Sequence, residues 1–522
     1  MPLQKEQEKA IQNYPRPKID FTPRIPPLKS VKDKTKLNLR YSLIDPFAFV
    51  HIYWNEKEYE IMYEIEEPIL TERDEQFREQ IINAMSNLVD FDSIIEKDQE
   101  KLLDYIDKRF KLLAVELGLD ISYETYSKIY YYLIRDFLGF NDIDPLLRDY
   151  FVEDIECNGI NTPIYIVHRK YRNIKTNIVF EDTDRLASFI EKLAQRCNKY
   201  ISYAKPILDG SLPDGSRVNA TYTQDITSKG PTFTIRKFTK TPWTPPQLLS
   251  FNTLSPEMLA YLWLLTEYKM NILITGGTSS GKTTLLNAVT FFIPPEARIV
   301  SIEDTRELNL PQENWLPSVV RSSTNVGKMN EIDLFVLLKS SFRQNPDYVI
   351  VGEVRGKETY VLFQGMASGH SSISTIHADS VDTVIKRLET PPIELSPTLL
   401  NVLDCVCIMT HAIVKKQETR KLKEIVEIIN VTPDGVAITN TPFVWNPADD
   451  KFYFKKTSKI FEKIARRYGL VMEDIDLEFR RRVKLIYELY RRKIFKFIEV
   501  RDIVHRYYKK PEEILAQFGI DF

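Results

Sequence analysis

One eight-residue segment constrains the fold of this chain more than any other. Residues 276–283 read GGTSSGKT and match the pattern G-x-x-x-x-G-K-[ST]. An apolar, strand-like segment (272–275) leads into it, and a helix-forming segment (283–292) follows. In this setting glycines let the backbone curl so that successive N–H groups face phosphate oxygens, and the following helix adds the positive end of its dipole. The sequence therefore predicts a strand–loop–helix unit that binds the phosphates of a nucleotide.

The residue types in this segment predict separate roles. Lys282 supplies a point charge for the β- and γ-phosphates, and the Thr283 hydroxyl can ligate Mg²⁺. ATP and Mg²⁺ are the predicted ligands. The residues predicted to hold ATP are Gly276, Gly277, Thr278, Ser279, Ser280, Gly281, Lys282, Thr283 and Thr284.

Hydrolysis also needs carboxylates, and two predicted strands end in them. Segment 298–302 is followed by Glu303 and Asp304, and segment 348–351 is followed by Gly352 and Glu353. Ligand sites of open α/β sheets lie beyond the carboxyl ends of their strands. Carboxylates at such places also serve as helix caps, so this spacing alone leaves both interpretations open.

Two histidines flank a short apolar segment farther along the chain. His370 and His377 are seven residues apart. Along a strand that spacing separates two side chains by about 23 Å, which excludes a shared metal ion. A lone histidine is more often a core residue than a catalytic one, so neither is assigned a role on spacing alone.

The length of 522 residues predicts two or three domains. Residues 1–36 contain six prolines and many basic residues, and they predict an extended or disordered tail. Residues 37–238 predict an N-terminal α/β domain that opens with a β-hairpin (47–65) and has a helical part at about 71–145. Three prolines in the segment 239–247 predict a linker over 239–250. Residues 251–450 alternate strands and helices and predict a mostly parallel sheet, and residues 451–522 predict a helical extension.

Composition excludes several functional classes. The net charge is −2, from 71 basic and 73 acidic residues, so there is no overall electrostatic footprint for nucleic acid or an anionic membrane, and any such surface must be local. Four scattered cysteines indicate neither a disulfide framework nor a zinc module. The start lacks a secretory signal, and the chain has no apolar run long enough to cross a membrane. We therefore expect a cytoplasmic protein.

Four segments occur together in a characteristic order. They are the phosphate loop (276–283), segment 302–308, segment 343–355, and segment 368–377. Together they resemble the Walker A, Asp box, Walker B and His box of type II/type IV secretion ATPases. Gly352 stands where most P-loop enzymes have aspartate, which is typical of this family. The resemblance is closest to the archaeal branch that assembles type IV pili and archaella, and it implies a RecA-like ATPase domain.

The resemblance also implies roles for individual residues. Glu303 would be the water-activating base, Glu353 would support Mg²⁺ and the γ-phosphate, and His377 would sense the γ-phosphate. Segments 154–159, 212–219 and 233–238 are similar to the family's N-terminal domain, which makes Arg217 and Arg236 the predicted arginine fingers. Surface arginines without such a role are the alternative. His370 and Arg355 would couple the site to neighbouring elements.

Family members form hexameric rings, so the resemblance implies a homohexamer that docks on a membrane platform protein. The protein would then be peripheral at the inner face of the cytoplasmic membrane, and nucleic acid is not the expected partner. Residues 1–145 match nothing in the family, and Arg306 stands where proline is usual. A DNA-translocating ring and an ATP-binding scaffold without turnover are the competing hypotheses. The cargo, and the choice between extension, retraction and rotation, stay open.

Overall fold

The structure is a computed structural model, and it describes residues 11–22, 33–88, 99–238, 241–321, 332–414, 417–455 and 457–520. The chain forms two compact units, Met1–Phe238 and Thr239–Phe522. The expected α/β class holds for both units, since each is built on a nine-stranded sheet that carries helices.

The first unit is built on a largely antiparallel sheet. Its strands are β1 (Asn38–Ile44), β2 (Ala48–Asn55), β3 (Glu60–Glu66), β4 (Val152–Cys157), β5 (Pro163–His168), β6 (Arg172–Val179), β7 (Ile207–Ser211), β8 (Arg217–Thr221) and β9 (Thr232–Arg236). Across the sheet they run β1, β2, β3, β6, β5, β4, β9, β8, β7. Only the β3–β6 pair is parallel among the paired strands described. The predicted hairpin at 47–65 is confirmed as β2 and β3, with β1 added at its edge.

Helices complete this unit. They are α1 (Glu72–Leu88), α2 (Gln99–Glu116), α3 (Tyr123–Leu133), α4 (Asp144–Arg148) and α5 (Thr183–Arg196). The first three enclose a core of their own that contains Ile106, Phe110 and Tyr126. The predicted helical part at 71–145 is therefore present as a packed layer.

The expectation of a disordered tail is wrong for its described residues. Within 11–22, Ile11 is buried in the core of the helical layer, and the Tyr14 hydroxyl donates to the Ile121 carbonyl at 3.1 Å. Arg16 pairs with Glu100 at 2.6 Å. The sequence pattern missed this segment because its few apolar side chains have no helical or strand periodicity and are buried as single anchors. The other residues of the predicted tail up to 32 lie outside the described residues.

The second unit begins at the predicted linker. Residues 239–240 lie outside the described part of the chain, and 245–250 form a short helix, α6 (Pro245–Ser250), where the sequence predicts only linker. Pro245 and Pro246 occupy the first turn of α6, where a missing N–H costs nothing. The role of 239–250 as a hinge stays a prediction.

Up to residue 351 the other elements of this unit follow the predicted alternation, except for a strand at 315–319 that was not predicted. The helices are α7 (Pro256–Glu267), α8 (Lys282–Thr290), α9 (Leu334–Ser341), α10 (Glu358–Ala367), α11 (Val381–Glu389), α12 (Pro397–Leu400), α13 (Lys459–Tyr468), α14 (Met472–Arg491), α15 (Phe497–Lys509) and α16 (Pro511–Phe518). The strands are β10 (Ile272–Gly276), β11 (Ile299–Glu303), β12 (Trp315–Val319), β13 (Tyr348–Val351), β14 (Ser371–Ile376), β15 (Cys405–Val414), β16 (Gln417–Val431), β17 (Ala437–Asn446) and β18 (Lys451–Phe454).

These strands form one sheet with two halves. Its order is β12, β11, β13, β14, β10, β15, β16, β17, β18. The pairs from β12 to β15 are parallel, and those from β15 to β18 are antiparallel. The parallel half contains the predicted strands β10, β11, β13 and β14, and apolar clusters on both faces of the sheet bury these four strands. The long antiparallel strands were not predicted, and β18 lies where the sequence predicts the start of the helical extension.

Candidate functional site

The phosphate loop follows β10, the central strand of the nine-stranded sheet. Strand β10 pairs with β14 on one side and β15 on the other, and all five of its residues are buried. Its last residue, Gly276, has a φ of 155°, and a Cβ there would lie 2.5 Å from the Met409 carbonyl oxygen and from Ser280 Oγ. Gly281 precedes α8 with a φ of 97°. Glycine is therefore required at both ends of the loop.

The Lys282 side chain folds back over the loop. It is 8% exposed, and its ammonium donates to the carbonyl oxygens of Gly276 and Gly277, both at 3.0 Å. Burial lowers the pKa of Lys282, although the charge of Glu353 opposes this effect. The ammonium is thus held at the loop by neutral acceptors, which phosphate oxygens can replace. Thr283 follows at the first turn of α8 and is partly exposed.

His377 joins the lysine to the second carboxylate. Its Nδ1 lies 3.2 Å from Lys282 Nζ, and its Nε2 lies 3.0 Å from Glu353 Oε1. An ammonium can only donate, so Nδ1 accepts and the ring proton is on Nε2, the atom that faces Glu353. Glu353 Oε1 has no hydrogen-bond partner among the described residues, so its contact with His377 Nε2 is electrostatic. Burial lowers the pKa of His377, against the opposing charge of Glu353, which is consistent with a neutral ring.

Glu353 is the ionised carboxylate of the group. Burial alone would raise its pKa, but the hydrogen bond from Arg355 at 2.6 Å and the charges of Arg355, His377 and Lys282 outweigh burial and lower the pKa. A Mg²⁺ ion bound with ATP needs only one or two protein oxygens, because water and phosphate supply the rest. Thr283 and Glu353 fit that requirement. No cluster of three or more metal-ligating side chains occurs among the described residues.

Glu303 is the buried carboxylate. It ends β11 and is 2% exposed; its Oε1 accepts from the backbone N–H groups of Glu307 and Leu308, both at 3.0 Å. Its Oε2 is buried and has no hydrogen-bond partner in the described part of the chain. Burial raises the pKa of Glu303 to about 7, even though the two N–H groups oppose the shift. A carboxyl with this pKa can take up a proton near neutral pH, as a general base must.

Gly352 makes room for Glu303. A Cβ at Gly352 would lie 3.0 Å from Glu303 Cγ and 3.5 Å from Glu303 Oε1. The Gly352 N–H also donates to the Ile302 carbonyl at 2.9 Å. The departure from the usual aspartate therefore has a steric reason: a larger residue at 352 would displace the side chain on the neighbouring strand.

The predicted arginines lie in the first unit. Arg217 on β8 and Arg236 on β9 are direct cross-strand partners. Arg217 pairs with Asp209 at 3.3 Å, and Arg236 pairs with Asp154 at 3.1 Å. Both arginine side chains are exposed. The structure thus groups them with each other, and their role as fingers stays a prediction.

The two residues expected to couple the site differ in position. Arg355 is bonded to Glu353. His370 lies just before β14, at the end of that strand opposite to His377, and its ring packs against Phe342 at 4.9 Å between centroids. His370 is therefore a neighbour of α9 and α10 rather than of the phosphate loop.

Three contacts of the site were missed by sequence reasoning. Arg387 on α11 donates to the His377 carbonyl. Asn287 on α8 accepts from the Asn309 N–H at 3.0 Å, which ties the helix to the segment after Glu303. Arg420 on β16 lies beside the loop, since its Cδ would be 3.4 Å from a Cβ at Gly281. The first two have no local motif, and Arg420 comes from the strands that the sequence did not predict.

A family model described as "Type II/IV secretion system protein" matches residues 143–431. The chain belongs to the type II/IV secretion system protein family. The resemblance found in the four sequence segments is thereby confirmed, and so is the α/β fold class. The match covers the sheet edge that carries Lys282, Glu303, Glu353 and His377 as well as the strands that carry Arg217 and Arg236.

Individual proteins and solved structures are also similar to this chain. "Uncharacterized protein MJ0900" of Methanocaldococcus jannaschii is 35% identical over 509 residues, which are 93% of this chain and 91% of the relative. "Type IV secretion system protein PtlH" of Bordetella pertussis is 34% identical over 228 residues, 39% of this chain and 67% of the relative. A structure titled as the Legionella pneumophila ATPase DotB is 16% identical, covers 68% of this chain and 92% of that one, and has a TM-score of 0.38. The Methanocaldococcus relative supports the archaeal branch of the family.

None of the helices in the described part of the chain is both long and apolar enough to cross a membrane.

Proposed function

We propose that the protein is a Mg-ATP-hydrolysing motor that powers the assembly or secretion of type IV pilus-like filaments at the cytoplasmic membrane. The observation that carries the proposal is the convergence of Lys282, His377 and Glu353 at one sheet edge, with Glu303 on the next strand beyond Glu353. These groups supply what phosphoryl transfer needs: a positive charge for the phosphates, an ionised carboxylate for the metal, and a base for the attacking water.

The roles follow from the chemistry of each group. Lys282 exchanges its two carbonyl acceptors for the β- and γ-phosphates. Glu353 and Thr283 would hold Mg²⁺, which would supply positive charge next to the phosphates. Glu303 takes the proton of water, since its raised pKa suits a base near neutral pH. His377 touches both Lys282 and Glu353, so its contacts change when a γ-phosphate enters or leaves.

The working unit of this proposal is a homohexamer attached to a membrane platform protein. Arg217 and Arg236 are exposed and adjacent, so a neighbouring copy can use them to complete its ATP site. Charge stabilisation by such an arginine contributes a large share of turnover in other P-loop enzymes. Movement of one domain against the other about residues 239–250 would then deliver the work.

The test is a complementation experiment with the full-length protein. The Lys282→Ala subunit keeps both arginines but has an inactive phosphate site. The Arg217→Ala/Arg236→Ala subunit keeps its phosphate site but lacks both arginines. Each variant alone should be inactive in Mg-ATP hydrolysis, and their mixture should recover activity because one kind of subunit completes the other. Turnover per subunit should also rise with protein concentration.

Separate outcomes identify separate failures. Full activity of the double arginine variant would refute the arginine role and leave the ATPase intact. Unchanged activity of Lys282→Ala would refute the motor itself. Strong stimulation of ATP hydrolysis by DNA, together with DNA binding that weakens steeply as salt increases, would refute the filament motor and favour a DNA translocase.

A further inference from the structure

The turn between α14 and α15 carries an unusual concentration of positive charge. Four of the six residues from 491 to 496 are basic. The basic residues of this turn are Arg491, Arg492, Lys493 and Lys496. The chain as a whole is slightly acidic, so this charge is a local feature, of the kind that an electrostatic docking site requires.

Nearby carboxylates offset only part of that charge. Arg491 and Arg492 share one carboxylate, Glu488, at 2.7 and 3.2 Å. Lys496 is 83% exposed, and its contact with Glu499 is long, at 3.7 Å. Lys493 is exposed and has no carboxylate partner within the described ranges. The turn therefore presents excess positive charge to its surroundings.

An apolar side chain stands beside these cations. Ile498 is 60% exposed, although its neighbours Ile494 and Phe497 pack against the core of the unit. Tyr490, at the end of α14, is also exposed. Tyrosine and basic side chains with an apolar residue between them are the composition found at membrane–water interfaces.

The turn is also held in place before any ligand binds. The Phe495 carbonyl accepts from the Thr244 hydroxyl at 3.1 Å, and Arg492 donates to the Phe518 carbonyl at 2.9 Å. The Phe497 ring packs edge-on against Phe291 at 4.9 Å between centroids. A surface that is already ordered loses little conformational entropy when it binds.

We propose that this turn, 490–498, is a docking site for the anionic surface of a lipid bilayer. Lys493, Lys496 and the two arginines attract the phosphate groups of the lipids, and Ile498 enters the boundary between head groups and acyl chains. Charge alone would suit a nucleic acid or an acidic peptide equally well. The exposed isoleucine favours a bilayer, because a bilayer offers an apolar phase next to a dense layer of negative charge. The proposal does not depend on the motor function.

The experiment is vesicle co-sedimentation of the full-length protein. Vesicles of phosphatidylcholine with an equal part of phosphatidylglycerol are compared with phosphatidylcholine alone, at low and high salt. We expect binding to the anionic vesicles only, and weaker binding at high salt because surface charges are screened. Lys493→Gln/Lys496→Gln should weaken binding by roughly 25-fold, that is, roughly fivefold for each charge removed. Ile498→Ser should cause a smaller loss that salt does not change.

A matched control removes the same charge elsewhere. Lys386→Gln/Lys451→Gln alters two exposed lysines outside the turn and should bind anionic vesicles as the unaltered protein does. Equal losses in the two double variants would overturn the proposal, since net charge rather than the turn would then decide binding. Equal binding to neutral and anionic vesicles would overturn it as well. So would tight binding of duplex DNA or polyglutamate through the turn without any binding of vesicles.

Discussion

Two regions of the molecule are built in opposite ways. The phosphate edge is the end of the parallel sheet of the second unit that carries Lys282, Glu303, Glu353 and His377. The arginine pair of the first unit is Arg217 and Arg236. Lys282 and Glu303 are 8% and 2% exposed, and backbone groups hold both. The side chains of Arg217 and Arg236 are 47% and 64% exposed, and they pair with the carboxylates of Asp209 and Asp154. One region is complete within its own unit, whereas the other presents charge outward.

The difference indicates how firmly each region is fixed. An exposed ion pair contributes about 0–1 kcal/mol, so an arginine can leave it for a better acceptor at little cost. A buried, hydrogen-bonded group resists change, because its partners would be left unsatisfied. Folding alone therefore fixes the side chains of the phosphate edge in position. The two arginines can exchange their carboxylate partners for a ligand at little cost.

The largest effect is expected from Lys282→Ala. Loss of the ammonium removes the charge that faces the phosphates, and ATP affinity and turnover should fall by roughly a hundredfold or more. Binding of a fluorescent ATP analogue measures the affinity. Lys339→Ala, at an exposed lysine of α9, is the control and should leave affinity unchanged. Equal ATP affinity of the Lys282→Ala and Lys339→Ala variants would contradict the role of Lys282 in binding phosphate.

The second-largest effect is expected from Glu303→Gln, which should change how the free energy of unfolding depends on pH. The pKa of Glu303 in the folded protein is about 7, above the ordinary glutamate value of 4.5, so the folded protein loses stability as pH rises from 4.5 to 7. Glu303→Gln removes this penalty. It should raise the free energy of unfolding by up to roughly 3 kcal/mol at pH 8 and should give no gain below pH 4.5.

Urea denaturation at several pH values measures the Glu303 effect. A gain of the same size at every pH would show that the carboxyl does not titrate as proposed. Asp304→Asn, at the exposed neighbouring position, is the control and should show a much smaller pH dependence.

A steric prediction compares two glycines of the phosphate edge. Gly352→Ala places a Cβ 3.0 Å from Glu303 and should destabilise the protein by about 1–3 kcal/mol. Gly277→Ala meets nothing within 4 Å and should leave the free energy of unfolding nearly unchanged. Denaturation without nucleotide separates the two. Equal stability of both variants would contradict the close packing of Gly352 on Glu303.

The smallest effect on stability is expected for the arginines. Arg217→Ala and Arg236→Ala remove exposed ion pairs and should each change the free energy of unfolding by less than about 1 kcal/mol. Thermal unfolding checks this. A larger loss would show that these arginines are structural, and it would weaken their contrast with the phosphate edge.

The sequence predicted the parallel sheet and most of its site because local signals were strong. The glycine–lysine loop and the apolar strands that end in Glu303 and Glu353 are contiguous patterns with a known structural meaning. The antiparallel strands β16 and β17 were not predicted, because charged residues such as Lys421 and Glu427 are buried in β16 and interrupt its apolar pattern. Contacts such as Arg420 beside Gly281 join distant parts of the chain, and one sequence does not reveal them.

The shared sheet has a mechanical consequence. Strand β15 is at once the parallel neighbour of the phosphate-loop strand and the first strand of the long antiparallel region. The Met409 carbonyl oxygen of β15 would lie 2.5 Å from a Cβ at Gly276. The Arg420 side chain of β16 would lie 3.4 Å from a Cβ at Gly281. A force that bends the antiparallel strands would therefore also move the groups of β15 and β16 that contact the phosphate loop. Load on the distal strands and the occupancy of the nucleotide pocket should therefore influence each other without any separate transmitting element.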